Sequence, residues 1–234
     1  MRKLLIAVLT AILVVTGGAV AADFGTTIYA EYRLARTVRQ VAGLSFDPSV
    51  AILGFPFIRQ AMRHHYHEIE IKANGAPHPV VGKASLEATM HSVDLTDASW
   101  LIRPTAELRL GILESRIIID SGHLGRFIGM KDLMVEAPSK DTNDTTGGTT
   151  ESGISGSKGL VFTATDVQTG PGTADQAVPD DKKAAVLAAF SGSLPGQRLP
   201  FGVRPTTEGA RGSDVIIEGI TSGVTVRLDE FNQS

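Results

Sequence analysis

Apolar side chains recur every three or four positions over residues 23–44, with charged and polar side chains between them. This spacing places them on one side of a helix and predicts an amphipathic helix from Asp23 to Leu44. Asp23 is expected to cap its N-terminus, because a side-chain oxygen there accepts a hydrogen bond from a free backbone N–H. The apolar positions are Phe24, Ile28, Ala35, Val38, Val41 and Ala42.

Most of the other apolar positions alternate with polar ones, which is typical of strands that bury one face. Near the C-terminus, Thr221-Ser222-Gly223 separates two such segments, 215–220 and 224–228, and predicts a hairpin turn. The other predicted strands cover residues 48–53, 69–73, 84–90, 108–112, 117–119 and 131–137. Short helices are predicted at 56–62, 124–128 and 180–190.

Residues 138–159 interrupt the alternation, since Asp, Thr, Ser and Gly dominate and Ile154 is the single large aliphatic residue. This composition predicts a flexible loop between two strands. The remaining pattern predicts one α+β domain over residues 22–234, in which a long, mostly antiparallel sheet combines with an N-terminal helix and two or three short ones.

The first 21 residues form a separate segment. Arg2 and Lys3 precede the apolar stretch 4–15, and Ala19-Val20-Ala21 follows it. This order predicts a secretory signal peptide over residues 1–21, because signal peptidases accept small side chains before the cut. An uncleaved membrane anchor stays open as the alternative, since residues 4–22 are nearly long enough to cross a bilayer. Both interpretations predict an exported protein in the periplasm or cell envelope.

The composition excludes several protein classes. Of the 234 residues, 42% are hydrophobic and 20% are charged, which argues against a disordered chain. The absence of cysteine excludes a disulfide scaffold and a lipid-modified N-terminal cysteine. One long apolar stretch is too few for a polytopic membrane protein. A net charge of −3 without a basic stripe gives little support for nucleic-acid binding.

The most conspicuous candidates for chemistry are the histidines of His64-His65-Tyr66-His67. Two of them, His65 and His67, lie two residues apart on a predicted strand and would share a face, as metal ligands do, with His78 or His91 as a third ligand. We favour an interpretation without metal. No cysteine or tightly spaced carboxylate joins the cluster, and imidazoles at a helix-to-strand junction can cap carbonyls or face water.

No catalytic motif stands out. Glu68 and Glu70 alternate with apolar residues and are expected on the wet side of a strand, and Asp180-Asp181 has the position of helix-start charges. The sequence lacks the nucleophile elbow, the phosphate-binding loop and the dinucleotide fingerprint. We therefore predict a non-catalytic protein without a cofactor or metal.

The predicted strands carry more Leu, Ile, Val and Met than the few helices cover. A bound acyl chain would fill the gap, because each buried CH₂ contributes about 0.8 kcal/mol. The alternative, which the pattern leaves equally open, is a sheet that curls and packs on itself.

Three segments resemble the LmeA-type phospholipid-binding proteins of actinobacterial cell envelopes. Residues 48–60, 124–129 and 194–203 match that family in order and approximate spacing, and they contain Gly-Phe-Pro-Phe, Leu-Gly-Arg-Phe-Ile-Gly and Leu-Pro-Phe-Gly. The chain departs from the family pattern at His64 and His65, where a glycine is expected, and in the extra length of 138–159.

The resemblance implies a twisted antiparallel sheet wrapped around the N-terminal helix, with a tubular apolar cavity like that of TULIP lipid-transfer modules. It also implies binding of phospholipids, including phosphatidylinositol-type lipids, and a part in the maturation of envelope lipoglycans such as lipomannan. No catalytic residues carry over from the family.

On this basis a hydrophobic lip that enters the bilayer is expected from Phe55, Pro56, Phe57 and Ile58. The tube would be lined by Leu108, Leu110, Ile112, Leu133, Val135 and Phe201, although ordinary core positions are the alternative for each. Arg59, Arg63 and Arg126 are expected to pair with a lipid phosphate at the mouth, because guanidinium groups match phosphate oxygens.

The expected partners are a phospholipid and the membrane surface. Two rival hypotheses remain. One is an enzyme of lipoglycan assembly that acts on envelope lipids through His67 or Glu68. The other is an interaction module that docks on a membrane glycosyltransferase through an open sheet edge.

Overall fold

The computed structural model describes residues 2–78, 81–95, 102–103, 106–128, 150–154, 160–164, 180–189, 191–194, 198–211 and 214–232. The helices in this part of the chain are α1 (Arg2–Val41), α2 (Phe57–Arg63), α3 (Ser121–Ile128) and α4 (Asp180–Ala189). The strands are β1 (Ser49–Leu53), β2 (His65–His78), β3 (Gly82–Leu95), β4 (Glu107–Asp120), β5 (Thr150–Ile154), β6 (Leu160–Ala164), β7 (Gly192–Leu194), β8 (Thr207–Arg211) and β9 (Asp214–Arg227).

Six strands form an open antiparallel sheet in the order β1-β2-β3-β4-β9-β8, and β5, β6 and β7 form a three-stranded sheet. In the first sheet Ile52 lies opposite Ile69, so that apolar side chains pair across the strands on one face. The α+β class and the antiparallel sheet predicted from the sequence are confirmed, and they agree with a TULIP-like fold. The tubular cavity stays a prediction.

The chain folds into two compact units, Met1–Ala73 with Ala88–Glu114 and Thr221–Asn232, and Asn74–Glu87 with Ser115–Ile220 and Gln233–Ser234. In the first unit α1 packs against β1 and α2. Ala30, Leu34 and Val38 of α1 are buried at four-residue steps, which is one face of the helix. The core of this unit also contains Phe57, Tyr66, Ile69, Ile71, Met90, Leu108, Leu110, Leu113, Leu228 and Phe231.

In the second unit, a short 3-10 turn (Pro200–Gly202) approaches β9 closely. A Cβ atom at Gly219 would lie 2.3 Å from the carbonyl oxygen of Arg204 and 2.7 Å from Leu199 Cδ1, so no side chain fits there. The Ser115 hydroxyl donates a hydrogen bond to the carbonyl of Pro200 at 2.9 Å. The buried side chains of this unit include Leu86, Ile117, Ile119, Leu199 and Ile217.

The prediction for the first helix is wrong at its N-terminus. Instead of beginning at Asp23, α1 runs unbroken from Arg2 to Val41, so Asp23 does not cap it. Nine of the 22 residues before Asp23 are Ala or Leu, which propagate a helix well, and each of the two leader glycines costs only about 1 kcal/mol. The amphipathic pattern starts at residue 23 because the preceding part carries no polar face.

The predicted C-terminal hairpin is also wrong. Residues 214–227 form a single strand, β9, in which Gly223 has φ +63°. The hairpin is formed instead by β8 and β9, with Arg211 opposite Asp214. Thr221-Ser222-Gly223 is locally suited to a turn, but its segment belongs to a strand between two neighbours of the sheet, and such tertiary pairing overrides turn propensity.

The segment 138–159, predicted as a loop, contains β5, which pairs with β6 through Ser152 and Phe162. Its remaining residues and the predicted strand 131–137 lie outside the described residues. Backbone pairing needs no apolar side chains, and therefore β5 left no signal in the hydrophobic pattern. The predicted short helices correspond to α2, α3 and α4, and the predicted strands 108–112 and 117–119 are parts of β4.

Burial raises the pKa of the Tyr66 hydroxyl to about 12, whereas Tyr29 and Tyr32 are exposed on α1. An alkaline titration followed by tyrosinate absorbance should therefore show one late ionisation that Tyr66→Phe removes. In the unfolded chain this hydroxyl loses its proton at a pH of about 10, whereas in the folded protein it keeps the proton up to about 12. The free energy of unfolding should therefore fall as the pH rises from about 10 to about 12. A late ionisation that persists in the variant would contradict this assignment.

Candidate functional site

The segment between β1 and β2 folds around a tight turn at Gly54. This glycine has φ +108°, and a Cβ atom there would lie 2.9 Å from Gln60 Nε2, so both backbone and space require glycine. The Phe55–Pro56 peptide bond that follows is cis. The turn then leads directly into α2.

Gln60 ties this turn to the sheet. Its buried side chain donates from Nε2 to the carbonyl of Gly54 at 2.8 Å and accepts at Oε1 from the N–H of His67 at 2.9 Å. Both ends of a buried amide are therefore satisfied, which holds the turn and the start of β2 in fixed positions.

Asp23 caps α2 from α1. It is only 5% exposed, and its two carboxylate oxygens accept hydrogen bonds from the N–H groups of Phe57 at 2.9 Å and Ile58 at 2.8 Å. These N–H groups open α2, and the residue at the capping position, Pro56, makes no side-chain cap. The carboxylate also compensates the partial positive charge of the helix N-terminus. Asp23 is thus a helix cap, but the helix that it caps is α2 and not the predicted α1.

The residues of the predicted lip differ in their exposure. Phe55 is 62% exposed, and Pro56 and Ile58 are exposed, as expected. Phe57 is only 1% exposed, and its ring lies 6.0 Å from that of Tyr66, so it belongs to the core. Successive residues of a helix point in different directions, which explains why Phe57 faces the core while its neighbour Ile58 is exposed.

Two further apolar residues extend this exposed surface. Met62, 77% exposed, lies one turn after Ile58 on α2, and the ring of Phe24 stacks on that of Phe55 at 6.1 Å. The four-residue spacing of Ile58 and Met62 was a usable signal, whereas the contact of Phe24 with Phe55 depends on how α1 packs. We call Phe24, Phe55, Ile58 and Met62 the apolar rim.

An open groove of about 520 Å³ lies between α1 and α2, within the size range of ligand sites. We call it the apolar groove. It is lined by Ala19, Val20, Asp23, Phe55, Pro56, Ile58, Arg59, Met62 and Arg63. The carboxylate of Asp23 is hydrogen-bonded to α2, so the surface that the groove presents to a ligand is mainly apolar. Arg59 and Arg63 are the two arginines among its lining residues.

A smaller depression of about 280 Å³ adjoins it and shares Phe55, Pro56, Arg59 and Arg63 with the groove. We call it the basic pocket. Its other lining residues are Gln60, His65 and His67. The rings of His65 and His67 lie 5.8 Å apart at nearly a right angle, and His65 Nδ1 contacts a carboxylate oxygen of Asp94 at 2.6 Å.

The other residues predicted for the site lie elsewhere. Leu108 and Leu110 are buried in the first unit, and Phe201 is buried in the second. Arg126 is exposed on α3 in the second unit and lines neither the groove nor the basic pocket. Leu133 and Val135 lie outside the described residues.

Ile112 was expected beside Leu108 and Leu110 on one face, but it is 43% exposed. The burial alternation of β4 shifts by one residue at Gly111 and Ile112, as an extra residue in a strand produces. The neighbouring β3 shifts at His91 and Ser92, and Ser92 has φ +51°. A strict period of two therefore assigns Ile112 to the wrong face.

Within the described part of the chain, no three His, Asp or Glu side chains are grouped so that they could hold a metal ion. His91, one of the candidate third ligands, lies between Glu68 and Glu114 at 3.4 Å from each. His67 lines the basic pocket together with His65.

The N-terminal half of α1 is long and apolar enough to cross a membrane. Its most apolar 18-residue window has a mean hydropathy of 2.6, and none of that window is buried in the protein. The end of this apolar stretch, at Ala19 and Val20, forms one wall of the apolar groove. The groove therefore begins where the exposed apolar helix ends.

The chain as a whole is similar to a known protein family. The family described as LmeA-like phospholipid-binding matches residues 21–220, which is most of the chain. Neither the curated proteins nor the solved structures gave a match.

Replacing Asp23 by Ala should lower the free energy of unfolding by about 2 kcal/mol, because two N–H groups at the start of α2 lose their acceptor. Urea denaturation followed by circular dichroism measures the change. Asp47→Ala is the matched control, since Asp47 forms an exposed ion pair with Arg39 at 3.2 Å and its loss should cost less than about 1 kcal/mol. Equal losses in the two variants would contradict the capping role.

Proposed function

Since the chain belongs to the LmeA-like phospholipid-binding family, we propose that the apolar groove receives the acyl chains of a phospholipid. The observation that carries this proposal is the exposure of the apolar rim around the groove. Large apolar side chains clustered in water around a concavity mark a surface that binds a hydrophobic ligand or a membrane. A chain of about 16 carbons would contribute roughly 10 kcal/mol on burial, before the cost of ordering it.

The position of the groove on α1 supports lipid uptake directly from a bilayer. Residues 4–22 of this helix measure about 28 Å at 1.5 Å per residue, close to the thickness of a hydrocarbon core of about 30 Å. With this segment in a membrane, Ala19 and Val20 lie near the interface, and the groove they line opens beside the lipid headgroups. The stacked rings of Phe24 and Phe55 then lie at a level where apolar side chains enter the headgroup and acyl boundary.

We further propose that the protein is exported and acts in the cell envelope. Residues 1–21 serve as a signal peptide or stay as an anchor, and the continuous α1 together with the groove wall at Ala19 and Val20 favours the anchor. Cleavage after Ala21 would remove Ala19 and Val20 from the groove. The apolar rim would then contact the membrane surface without a spanning helix.

The biological role that we propose is non-catalytic binding or shuttling of phospholipids, including phosphatidylinositol-type lipids, in the maturation of lipids or lipoglycans such as lipomannan. Family membership supports the ligand class, and the resemblance supports the lipoglycan role. Turnover of an inositol-linked or polyprenyl-linked lipid by the purified protein would favour an enzyme instead. Stable capture of a membrane glycosyltransferase without bound lipid would favour an interaction module that uses the open edge at β1 or β8.

The purified full-length protein should retain phospholipid in native mass spectrometry, and Ile58→Asp and Phe55→Asp should each reduce the retained fraction at least about tenfold. A carboxylate in the groove loses its hydration when an acyl chain covers it, which opposes binding. Circular dichroism should stay unchanged, because both positions are exposed.

Ile220→Asp is the matched control, because Ile220 is an exposed isoleucine of β9 that lines neither the groove nor the basic pocket. It should retain lipid as the unmodified protein does. If all three variants keep their lipid, the acyl chains bind elsewhere and the groove is not the site.

A further inference from the structure

The basic pocket brings together two arginines, and none of its described lining residues is a carboxylate. Arg59 and Arg63 lie one turn apart on α2, and His65 and His67 lie two residues apart on β2. Among the described residues, neither arginine forms an ion pair. Like charges at this helical spacing repel each other, so the arrangement lowers stability unless an anion binds there.

The nearby carboxylates are engaged with other groups. Asp23 accepts hydrogen bonds from the two N–H groups of α2, and Glu68 faces His91 at 3.4 Å. Asp94 Oδ1 lies 2.6 Å from His65 Nδ1, and this contact orients the ring. No carboxylate side chain lines the basic pocket in the described part of the chain. The guanidinium groups of Arg59 and Arg63 thus have no carboxylate of the described chain beside them in the pocket.

We propose that the basic pocket binds the phosphate of an anionic phospholipid whose acyl chains lie in the apolar groove. This inference rests on the proposed function and adds the headgroup class. The two cavities share Phe55, Pro56, Arg59 and Arg63, so a single amphiphile occupies both, with its charged end on the arginines and its chains along α1. The planar guanidinium groups donate paired hydrogen bonds to phosphate oxygens.

The number of donors favours a phosphomonoester over a diester. The two guanidinium groups by themselves offer enough N–H donors for three non-bridging oxygens, and two positive charges for a group that carries between about −1.5 and −2. A diester such as phosphatidylinositol has a single negative charge and binds less tightly, and zwitterionic phosphatidylcholine binds least. His65, one of the two residues at which the chain departs from the family pattern, lines this pocket together with His67.

In the test, the full-length protein is incubated in detergent with an equimolar mixture of phosphatidic acid and phosphatidylcholine that have identical acyl chains. Native mass spectrometry then gives the ratio of the two bound lipids. We expect phosphatidic acid to be enriched at least about tenfold, because its phosphomonoester offers the arginines a third non-bridging oxygen and additional negative charge, whereas the diester of phosphatidylcholine lies beside a positive choline. The double variant Arg59→Gln with Arg63→Gln should bind both lipids almost equally, and His65→Gln with His67→Gln should show an intermediate ratio.

The matched control is Arg33→Gln with Arg109→Gln, which removes the same charge from exposed arginines that line neither cavity. It should keep the enrichment. Inorganic phosphate, added in excess, should displace phosphatidic acid only weakly, because it lacks the chains that fill the groove. Tight binding of inorganic phosphate in the absence of lipid would instead identify a free-phosphate site and overturn the lipid assignment.

Two outcomes separate this inference from the proposed function. If the unmodified protein retains both lipids without preference, or if the arginine variant keeps the preference, the basic pocket is not the headgroup site, and the proposed function stands. If the unmodified protein retains neither lipid, both proposals fail.

Discussion

The carboxylate of Asp23 connects the apolar helix to the rest of the site. It is buried, it lies immediately after the segment that can cross a membrane, and it satisfies the first two N–H groups of α2. Because Pro56 makes no side-chain cap, α2 depends on an acceptor from another element. These two hydrogen bonds therefore help to fix the position of Ile58, Arg59, Met62 and Arg63 relative to α1.

Gln60, in the middle of α2, connects this helix to the Gly54 turn and to β2. It holds the Gly54 turn and the first part of β2 through one buried amide, so the histidines of β2 face the arginines of α2 across a small depression. Buried polar groups that are fully satisfied give a fixed geometry at modest net energy. That geometry lets α2 present hydrocarbon to one side and positive charge to the other, which matches the two ends of a phospholipid.

The exposed apolar rim lowers the stability of a protein that is alone in water, whereas the apolar side chains of β3 and β4 are mostly buried. Leu108 and Leu110, expected to line a tube, are buried in the core of the first unit together with Met90 and Leu113. The uncovered apolar surface thus lies at the junction of α1 and α2, beside the long apolar stretch of α1. A ligand or a bilayer that covers this surface removes Phe55, Ile58 and Met62 from water.

Hydrophobic periodicity predicted the fold class, most strand positions and the short helix that begins within Gly-Phe-Pro-Phe, because periods of two and of three to four residues follow from backbone geometry. Phe55, Ile58, Arg59 and Arg63, which the sequence analysis proposed for the lip and the headgroup, line the apolar groove. Four features became visible only in the folded chain: Asp23 caps α2, Phe57 is core, Ile112 changes face and residues 214–227 form one strand. Each of these depends on contacts between residues far apart in the chain or on a local shift in strand register, and local periodicity contains no information about either.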